Sequence, residues 1–208
     1  MPIPDKLLNL YNGLSGRELF YIKARWGVSP IGAIEKAIPE CGDIYDIGCG
    51  VGLLSNMAAL NSGRRNIVGI DVSGEKIGIA NRSIGGRKNI RFEKGDVLNF
   101  DFDKADAVVA CDLFHHIPFR EQGLLLDRIL RSLKPGGLLI VQEIDKTPIL
   151  KYLFALGVDK ILNRMARVYY RDCYNMEGFF AERGLKVEVK KIDNGYPIAA
   201  MLFKCEKI

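Results

Sequence analysis

The sequence has few of the residues that build metal centres, disulfide frameworks or membrane spans. Its 208 residues include only two histidines, and its five cysteines are scattered and odd in number. The cysteines form no CxxC pair and no metal-ligand spacing, which argues against a zinc site and a disulfide framework. No apolar run reaches the roughly 18 residues of a membrane span, and the first residues lack the pattern of a signal peptide. These absences predict one cytoplasmic domain of ordinary size with reduced cysteines and no metal.

Acidic and basic residues balance over most of the chain. The formal net charge is +5, and residues 146–191 hold ten Lys or Arg against five Asp or Glu, which accounts for the whole excess. The remaining 20 basic and 20 acidic residues cancel. A balanced surface argues against a nucleic acid as the main partner.

The basic excess is densest over residues 149–171. Taken at 100° per residue, this segment predicts an amphipathic helix, with Gly157 as a point where it divides in two. The basic stripe of that helix consists of Lys160, Arg164, Arg167 and Arg171. We therefore expect a helical lid over residues 146–171 that contacts an anionic membrane surface peripherally. The alternative is a lid whose basic face is simply solvated.

Short apolar runs alternate with amphipathic helical patterns along the middle of the chain. The runs that predict strands are 44–47, 66–71, 90–96, 106–112 and 138–144. The segments that predict helices are 53–61, 73–84 and 121–133, with Ser73 as an N-cap. Alternation of this kind predicts parallel strands joined by crossover helices, in a doubly wound α/β sheet.

Both ends of the chain depart from this alternation. Residues 1–42 predict a helical cap of one or two helices before the sheet. After a helix at 175–184, two strand patterns at 185–192 and 196–206 flank the turn sequence Asp-Asn-Gly. An Asn-Gly turn between two strands indicates a hairpin, so the last strand is expected to be antiparallel to its neighbour.

The first strand runs directly into three alternating glycines in "DIYDIGCGVG" at 43–52. Gly48, Gly50 and Gly52 allow the backbone to turn sharply and a ligand to lie against it. In open α/β sheets, ligands bind beyond the carboxyl ends of the strands, which is where this loop falls. The alternative for Gly52 is that it permits close packing of helix on strand.

Acidic residues occur at three successive strand ends. Asp46 precedes the glycines, Asp71 ends the second strand, and Asp96 ends the third. Asp71 can accept hydrogen bonds from ribose hydroxyls, and Asp96 from an adenine amino group. A carboxylate at Asp46 repels a dinucleotide phosphate and attracts a cation, so the three acids favour a cationic adenosine ligand. The alternatives are that Asp71 caps the next helix and that Asp96 serves only a turn.

The motifs "DIGCGVG", "GIDVS", "KGDV", "VVACDLFHHIP" and "LKPGGLLIVQE" follow one another in order. Together they resemble the successive motifs of the class I S-adenosylmethionine-dependent methyltransferases, over residues 43–145. The resemblance implies a Rossmann-like seven-stranded sheet of order 3-2-1-4-5-7-6 with strand 7 antiparallel. It also implies S-adenosyl-L-methionine as cofactor and S-adenosyl-L-homocysteine as product.

The resemblance assigns cofactor contacts residue by residue. Asp46 and the loop Gly48–Gly52, with Cys49, would hold the methionine moiety. Asp71 and Val72 would bind the ribose side, Asp96 and Val97 the adenine, and Cys111 the cofactor through its backbone. No metal is implied.

Methyl transfer from a sulfonium is an in-line displacement, in which the protein aligns the nucleophile and excludes water. His115 and His116 follow the fourth strand and are candidate general bases. The alternative is that they orient the loop or bind the cofactor. Tyr21, Arg25 and Tyr169 are candidate contacts for the methyl acceptor.

The sequence also lacks motifs of other methyltransferases and of oxidoreductases. There is no [DNS]PP[YF] tetrapeptide, no Pro-Cys dipeptide and no Tyr-x-x-x-Lys. We therefore expect a methyltransferase for a small, lipophilic or aromatic acceptor, with oxygen or carbon favoured over nitrogen as nucleophile. The alternatives are a non-catalytic cofactor-binding module that regulates a partner and an RNA methyltransferase. An NAD-dependent oxidoreductase is disfavoured by Asp46.

Overall fold

The computed structural model of the protein describes residues 2–162 and 167–208. The strands are β1 (Gly42–Ile47), β2 (Arg65–Asp71), β3 (Ile90–Lys94), β4 (Ala105–Cys111), β5 (Leu133–Ile144), β6 (Leu185–Lys191) and β7 (Ala200–Lys207). The α-helices are α1 (Asp5–Leu8), α2 (Gly16–Val28), α3 (Ile31–Glu35), α4 (Leu53–Asn61), α5 (Gly74–Arg82), α6 (Phe119–Ser132), α7 (Ile149–Leu162) and α8 (Cys173–Ala181).

The strands form one seven-stranded sheet of order β3-β2-β1-β4-β5-β7-β6. Strands β1 to β5 pair in parallel, whereas β7 is antiparallel to both β5 and β6. The predicted topology and the reversed last strand are therefore confirmed. Parallel order places the carboxyl ends of β2, β1 and β4 side by side, which is where the site forms.

Helices cover both faces of the sheet, and each face has its own apolar core. One core contains residues of the N-terminal helices, α4, α5 and α7, and the other contains residues of α6 and α8. Alternation along β1 shows how the strand serves both: Ile44 belongs to the first core, and Tyr45 and Ile47 to the second. Asp46, between the last two, faces the side of the N-terminal helices and α4, where Ser55 contacts it.

The closing hairpin is wider than its turn sequence predicts. Asp193 accepts a hydrogen bond from the backbone of Tyr196 at 3.0 Å, so the Asp-Asn-Gly turn does form. Strand β7 nevertheless begins at Ala200 rather than at 196, where the pattern placed it. Pro197 lies in between and has no N–H for a ladder hydrogen bond, which delays the strand.

The N-terminal segment forms three helices and a 3-10 turn, more elements than the predicted one or two. Helix α2 begins with a capping box, in which Ser15 and Glu18 satisfy each other's backbone N–H groups. The Tyr11 hydroxyl donates to the carbonyl of Val51 at 3.1 Å and accepts from Asn56 at 2.9 Å. This contact ties the N-terminal segment to the glycine loop.

Among the described residues of the lid segment, the helical ones are those of α7. Gly157 lies inside α7 without dividing it. Residues 167–172 carry no helix, so the prediction of one continuous basic stripe through Arg167 and Arg171 is wrong. Arg171 instead bonds Gln122 at 2.8 Å and stacks over two phenylalanine rings. Arg164, the remaining member of the stripe, lies outside the described residues.

Within the part of the chain that the structure describes, no helix is both long enough and apolar enough to cross a bilayer. Over the same residues, no group of three or more His, Cys, Asp or Glu is placed to hold a metal ion.

Candidate functional site

A cavity of about 260 Å³ opens at the carboxyl ends of β1, β2 and β4, under the wall formed by α2. It brings together ten of the residues predicted from sequence. They are Tyr21, Arg25, Asp46, Gly48, Cys49, Gly50, Asp71, Val72, Cys111 and His116. The floor thus comes from the strand ends and the glycine loop, and the wall from the N-terminal helix.

The glycine loop bends back over the end of β2. The backbone N–H groups of Gly48 and Cys49 donate to the carbonyl of Ile70 at 2.7 and 2.9 Å. Gly50 has a φ of 57°, and a Cβ at this position would meet only open space. At Gly50, therefore, bare backbone faces the cavity, as close approach of a ligand requires.

Gly52 has a different reason for being glycine. Its φ is 79°, and an added Cβ would come within 2.5 Å of Cζ of Phe92. Gly52 does not line the cavity. It allows α4 to start close against the sheet. This agrees with the alternative in the sequence analysis, that Gly52 permits close packing of helix on strand.

Asp71 holds two backbone segments at the end of β2. Its Oδ2 accepts from the N–H of Gly50 at 2.9 Å, and its Oδ1 accepts from Ser73 at 2.8 Å. Ser73 in turn caps α5 through the N–H of Lys76. Because each carboxylate oxygen has two lone pairs, Asp71 retains acceptor capacity for hydroxyls of a ligand.

Asp46 is buried at 3% exposure beneath the glycine loop. Burial raises the pKa of Asp46 from its ordinary 3.8 to about 7; the Ser55 hydroxyl hydrogen bond opposes this rise, and nearby Asp71 adds to it. The site therefore contains a carboxyl group whose charge is costly without a counter-ion. A cationic ligand would stabilise the charged form.

The two thiols of the cavity are poor nucleophiles. Burial raises the pKa of both Cys49 and Cys111 well above the ordinary value. Cys111 donates to the side-chain oxygen of Gln142 at 3.1 Å. Both cysteines therefore line the site as protonated, apolar groups.

Asp112 and Arg25 form an ion pair across the cavity. Arg25 Nη2 lies 3.0 Å from Asp112 Oδ2, and the two side chains are 22% and 7% exposed. Burial lowers the pKa of Arg25, but Asp112, Cys111 and Tyr21 raise it by more, so the guanidinium stays charged. This pair joins the N-terminal wall to the end of β4.

The two histidines have different surroundings. His115 is 1% exposed, and its Nδ1 lies 2.5 Å from Glu143 Oε2. Its ring stacks on Tyr170 at 4.5 Å and lies 4.2 Å from the ring of His116. His115 does not line the cavity, whereas His116 does.

Burial, followed by the neighbouring His115, lowers the pKa of His116 to about 3. The His116 imidazole is therefore neutral at physiological pH. A general base works best with a pKa near the working pH. This environment favours His116 as a hydrogen-bonding group over His116 as the base expected from sequence.

Three further predicted residues lie outside the cavity lining. Asp96 is exposed and accepts from the backbone of Leu98 at 3.0 Å, and Val97 is buried in the core on the α6 side. Tyr169 is held through its backbone N–H to the carbonyl of His115 at 2.6 Å. The rings of Tyr169 and Phe119 meet edge to face. Gly52 and His115 complete the set of predicted residues outside the lining.

Several lining residues were not predicted: Ser29, Ile31, Val51, Leu53, Leu54, Lys76, Asp112 and Leu113. Asp112 stands in the motif "VVACDLFHHIP", directly after Cys111, so its position at a strand end was a usable signal. Ser29 and Ile31 come from the N-terminal helices, whose direction across the sheet no local pattern reveals.

Comparison with known proteins finds similarity to methyltransferases. Residues 44–137 match the family described as "Methyltransferase domain". The chain is 25% identical over 142 residues to a carboxy-S-adenosyl-L-methionine synthase of Wolinella succinogenes, covering 67% of this chain and 59% of that protein. It is 29% identical over 143 residues to a ubiquinone biosynthesis O-methyltransferase of Dechloromonas aromatica, covering 64% of this chain and 58% of that protein.

A solved structure shares the fold over almost the whole chain. Magnesium protoporphyrin IX methyltransferase of Synechocystis, with bound S-adenosylhomocysteine, superposes with a TM-score of 0.70 at 18% identity. The match covers 98% of this chain and 94% of that one. The chain therefore has a Rossmann-like fold in common with that methyltransferase, and residues 44–137 carry the match to the methyltransferase domain. It spans 58–59% of the length of the two curated relatives named above.

S-adenosyl-L-methionine is the cofactor that these similarities support, and the residues of the cavity fit it. Gly50 presents open backbone, Asp71 keeps acceptor capacity for ribose hydroxyls, and Asp46 is a buried acid that a cation would stabilise. In addition, Asp112 Oδ1 is buried with no hydrogen-bond partner among the described residues. A ligand rich in donors and carrying positive charge matches these four features.

Proposed function

We propose that the protein transfers the methyl group of S-adenosyl-L-methionine to a small, lipophilic or aromatic acceptor. The observation that carries the proposal is the meeting of the glycine loop, Asp71 and the buried Asp46 in one cavity. The cofactor supplies an electrophilic methyl group on a sulfonium. The chain's residues hold the ligand at the strand ends and exclude water from it.

The acceptor side of the cavity is proposed to lie beyond β4, next to His116 and Tyr21. Leu113, Ile31 and Leu54 add apolar surface to the cavity, which suits an aromatic or lipophilic molecule. The neutral His116 can accept a hydrogen bond from an acceptor hydroxyl and so orient it. The match to a protein named for ubiquinone biosynthesis O-methylation supports this acceptor class.

Thermal unfolding with S-adenosylmethionine, S-adenosylhomocysteine and NAD, each tested separately, examines the cofactor part of the proposal. A ligand at about 100 times its dissociation constant adds roughly 2.7 kcal/mol to stability. For a chain of this size, we expect that addition to raise the midpoint by about 5–11 °C. A rise with the two adenosyl ligands and none with NAD is the expected result, and a rise with NAD alone would overturn the assignment.

Turnover needs its own assay, because binding alone also fits a regulatory module. Formation of S-adenosylhomocysteine should be measured with a panel of phenols, catechols and quinol precursors, with RNA as a comparison. We expect product with at least one aromatic acceptor and none with RNA. Tight cofactor binding without turnover on any acceptor would favour the regulatory alternative.

We also propose that α7 contacts an anionic membrane surface peripherally. Four of its apolar side chains are more than two-fifths exposed: Ile149 at 57%, Leu150 at 78%, Leu153 at 54% and Phe154 at 46%. Their spacing places them on one side of the helix. Lys160 in the last described turn of α7 is exposed, and so is Arg167 in the non-helical segment further along the chain. Apolar and basic groups therefore occur in the same segment, as interfacial helices require.

Aromatic contacts connect this helix to the cavity. Tyr152 of α7 meets Tyr170 at 5.4 Å, Tyr170 stacks on His115, and His115 lies against His116 of the lining. A lipophilic acceptor drawn from a bilayer would thus first meet a helix that is linked to the cavity lining through these ring contacts.

Sedimentation with vesicles of phosphatidylglycerol and phosphatidylcholine tests the membrane contact. We expect binding that falls with salt, with Lys160→Glu/Arg167→Glu and with Leu150→Asp/Phe154→Asp. The control is Leu124→Asp, which changes a leucine of α6 that is 55% exposed on the other face of the sheet. Binding that is absent, or equally weakened by the control, would refute the contact.

A further inference from the structure

A short 3-10 turn, Phe114–His116, carries His116 into the cavity lining. The turn lies between β4 and α6. It has few hydrogen bonds of its own, such as the one from the N–H of His116 to the carbonyl of Leu113 at 2.9 Å. Because a 3-10 turn of this length is weakly held, groups from outside it are needed to fix the direction of the His116 ring.

The side-chain amide of Gln122 holds the backbone on both sides of His116. Gln122 lies near the start of α6 and is 1% exposed. Its Nε2 donates to the carbonyl of Phe114 and to that of Ile117, each at 2.9 Å. The carbonyl of Tyr169 lies farther from the same nitrogen, at 3.3 Å. An amide nitrogen carries two hydrogens, so the two short bonds around His116 occupy both of them.

Arg171 fixes which end of that amide faces the turn. Its Nε donates to Oε1 of Gln122 at 2.8 Å. Its Cζ lies 4.8 and 4.5 Å from the ring centres of Phe119 and Phe179, which hold the guanidinium in place. A guanidinium only donates hydrogen bonds, so a reversed amide would turn its NH₂ group to a donor and its oxygen to two carbonyls. The partners therefore allow a single orientation of Gln122.

The far end of α6 offers a bond of the same kind without a link to the cavity. There, Nζ of Lys207 donates to the carbonyls of Leu130 and Leu133 at 2.6 and 2.7 Å. Neither of these leucines lines the cavity. What distinguishes Gln122 is that the residue between its two carbonyls does line it.

We propose that Gln122 and Arg171 are positioning residues that set where the His116 imidazole lies in the cavity. Gln122 acts on His116 through the backbone of the 3-10 turn, and Arg171 acts through Gln122. This proposal rests on the proposed function, in which His116 orients the hydroxyl of the methyl acceptor. It adds that the acceptor side of the cavity is held from the non-helical residues 167–172, to which Arg171 belongs.

Histidine ring signals in nuclear magnetic resonance spectra report the position of His116 without any acceptor. The chain has two histidines, so tag-free protein with nitrogen-15-labelled histidine gives two sets of ring signals. His116→Gln removes one set and so assigns both. We expect Gln122→Met and Arg171→Met, which replace polar atoms at similar side-chain length, to shift the His116 signals by more than their line width. The matched control Lys207→Met should leave them in place.

Steady-state kinetics show whether that position matters for methyl transfer. With the best phenol or catechol of the acceptor panel, we expect Gln122→Met to lower kcat/KM for the acceptor by about 10-fold or more, since misplacement near the reacting atoms is costly. Arg171→Met should act in the same direction by a smaller factor. The KM for S-adenosylmethionine should stay within about 2-fold of the wild type in both variants. Lys207→Met should leave both parameters unchanged.

Unmoved His116 signals in both Gln122→Met and Arg171→Met would overturn the proposal, and so would equal effects of Lys207→Met. A rise in the KM for S-adenosylmethionine as large as the loss on the acceptor side would also overturn it, because cofactor binding would then be what changed. If Gln122→Met fails to fold, Arg171→Met decides by the same two measurements. A wild type without turnover would overturn the proposed function alone, and the ring signals would still decide the positioning role.

Discussion

Asp46 should make the ligand-free protein less stable as the pH rises through neutrality. Its pKa is about 7 in the folded protein, against 3.8 ordinarily, because it is buried. Between these two values the folded state holds a proton that the unfolded state has lost. The stability that the protonated Asp46 contributes is therefore greatest below its unfolded-state pKa, and it is lost as the pH rises through its folded-state pKa.

The magnitude follows from the two pKa values. A difference of roughly three units corresponds to about 4 kcal/mol of destabilisation once Asp46 is fully ionised. Much of that loss falls between about pH 5 and pH 8, where it amounts to roughly 2–3 kcal/mol. At about 2–4 °C for each kcal/mol, this is a difference of about 5–10 °C in midpoint.

The assay is thermal unfolding of the ligand-free wild type, Asp46→Asn and Ser55→Ala between about pH 5 and pH 8. The side chain at position 46 cannot ionise in Asp46→Asn. As the pH rises from about 5 to 8, the wild-type midpoint should therefore fall by about 5–10 °C relative to the midpoint of this variant. Ser55→Ala removes a hydrogen bond that lowers the pKa of Asp46, so its midpoint should fall more steeply with pH than that of the wild type. Parallel pH profiles for wild type and Asp46→Asn would refute the assignment of a buried, charge-sensitive carboxyl group.

Two further predictions concern the glycine loop and the N-terminal segment. Gly52→Ala should lower the free energy of unfolding by about 2–5 kcal/mol, because the new Cβ combines a positive φ with a contact at 2.5 Å to Phe92. Gly50→Ala should lower it by only about 1–2 kcal/mol, because its Cβ meets open space, but it should weaken the binding of adenosyl ligands. Equal stability losses in urea unfolding would contradict this division of roles. Tyr11→Phe should lower the free energy of unfolding by about 1–3 kcal/mol, because the Val51 carbonyl loses its donor and one N–H of Asn56 loses its acceptor. An unchanged urea unfolding curve would show that this contact does not hold the N-terminal segment.

The sheet could be predicted from sequence because its signals are local. Apolar runs located β1 to β4 within two residues, and Ser73 caps α5 as its position before the helix indicates. The fifth run located the end of β5, but β5 begins at Leu133, five residues before that run. The antiparallel end followed from two strand patterns around Asn194-Gly195. The wider hairpin was missed because the effect of Pro197 depends on pairing across the sheet.

The site was only partly predictable, since some of its properties arise from packing between distant segments. Residues at strand ends, such as Asp46 and Asp71, were placed correctly at the cavity because topology fixes where strands end. Asp96 was not, because the chain after β3 turns its side chain to the backbone of Leu98. The low pKa of His116 depends on burial, which no spacing in the sequence reports.

The cavity has a floor and a wall of different origin. The floor, from the strand ends and the glycine loop, lies within residues 44–137, which match the methyltransferase domain. Tyr21, Ser29 and Ile31 of the wall precede that region and reach the sheet from one side. The wall and the floor are therefore separate segments of the sequence, so a substitution in the wall can change the acceptor taken by the proposed activity while the cofactor contacts of the floor stay the same.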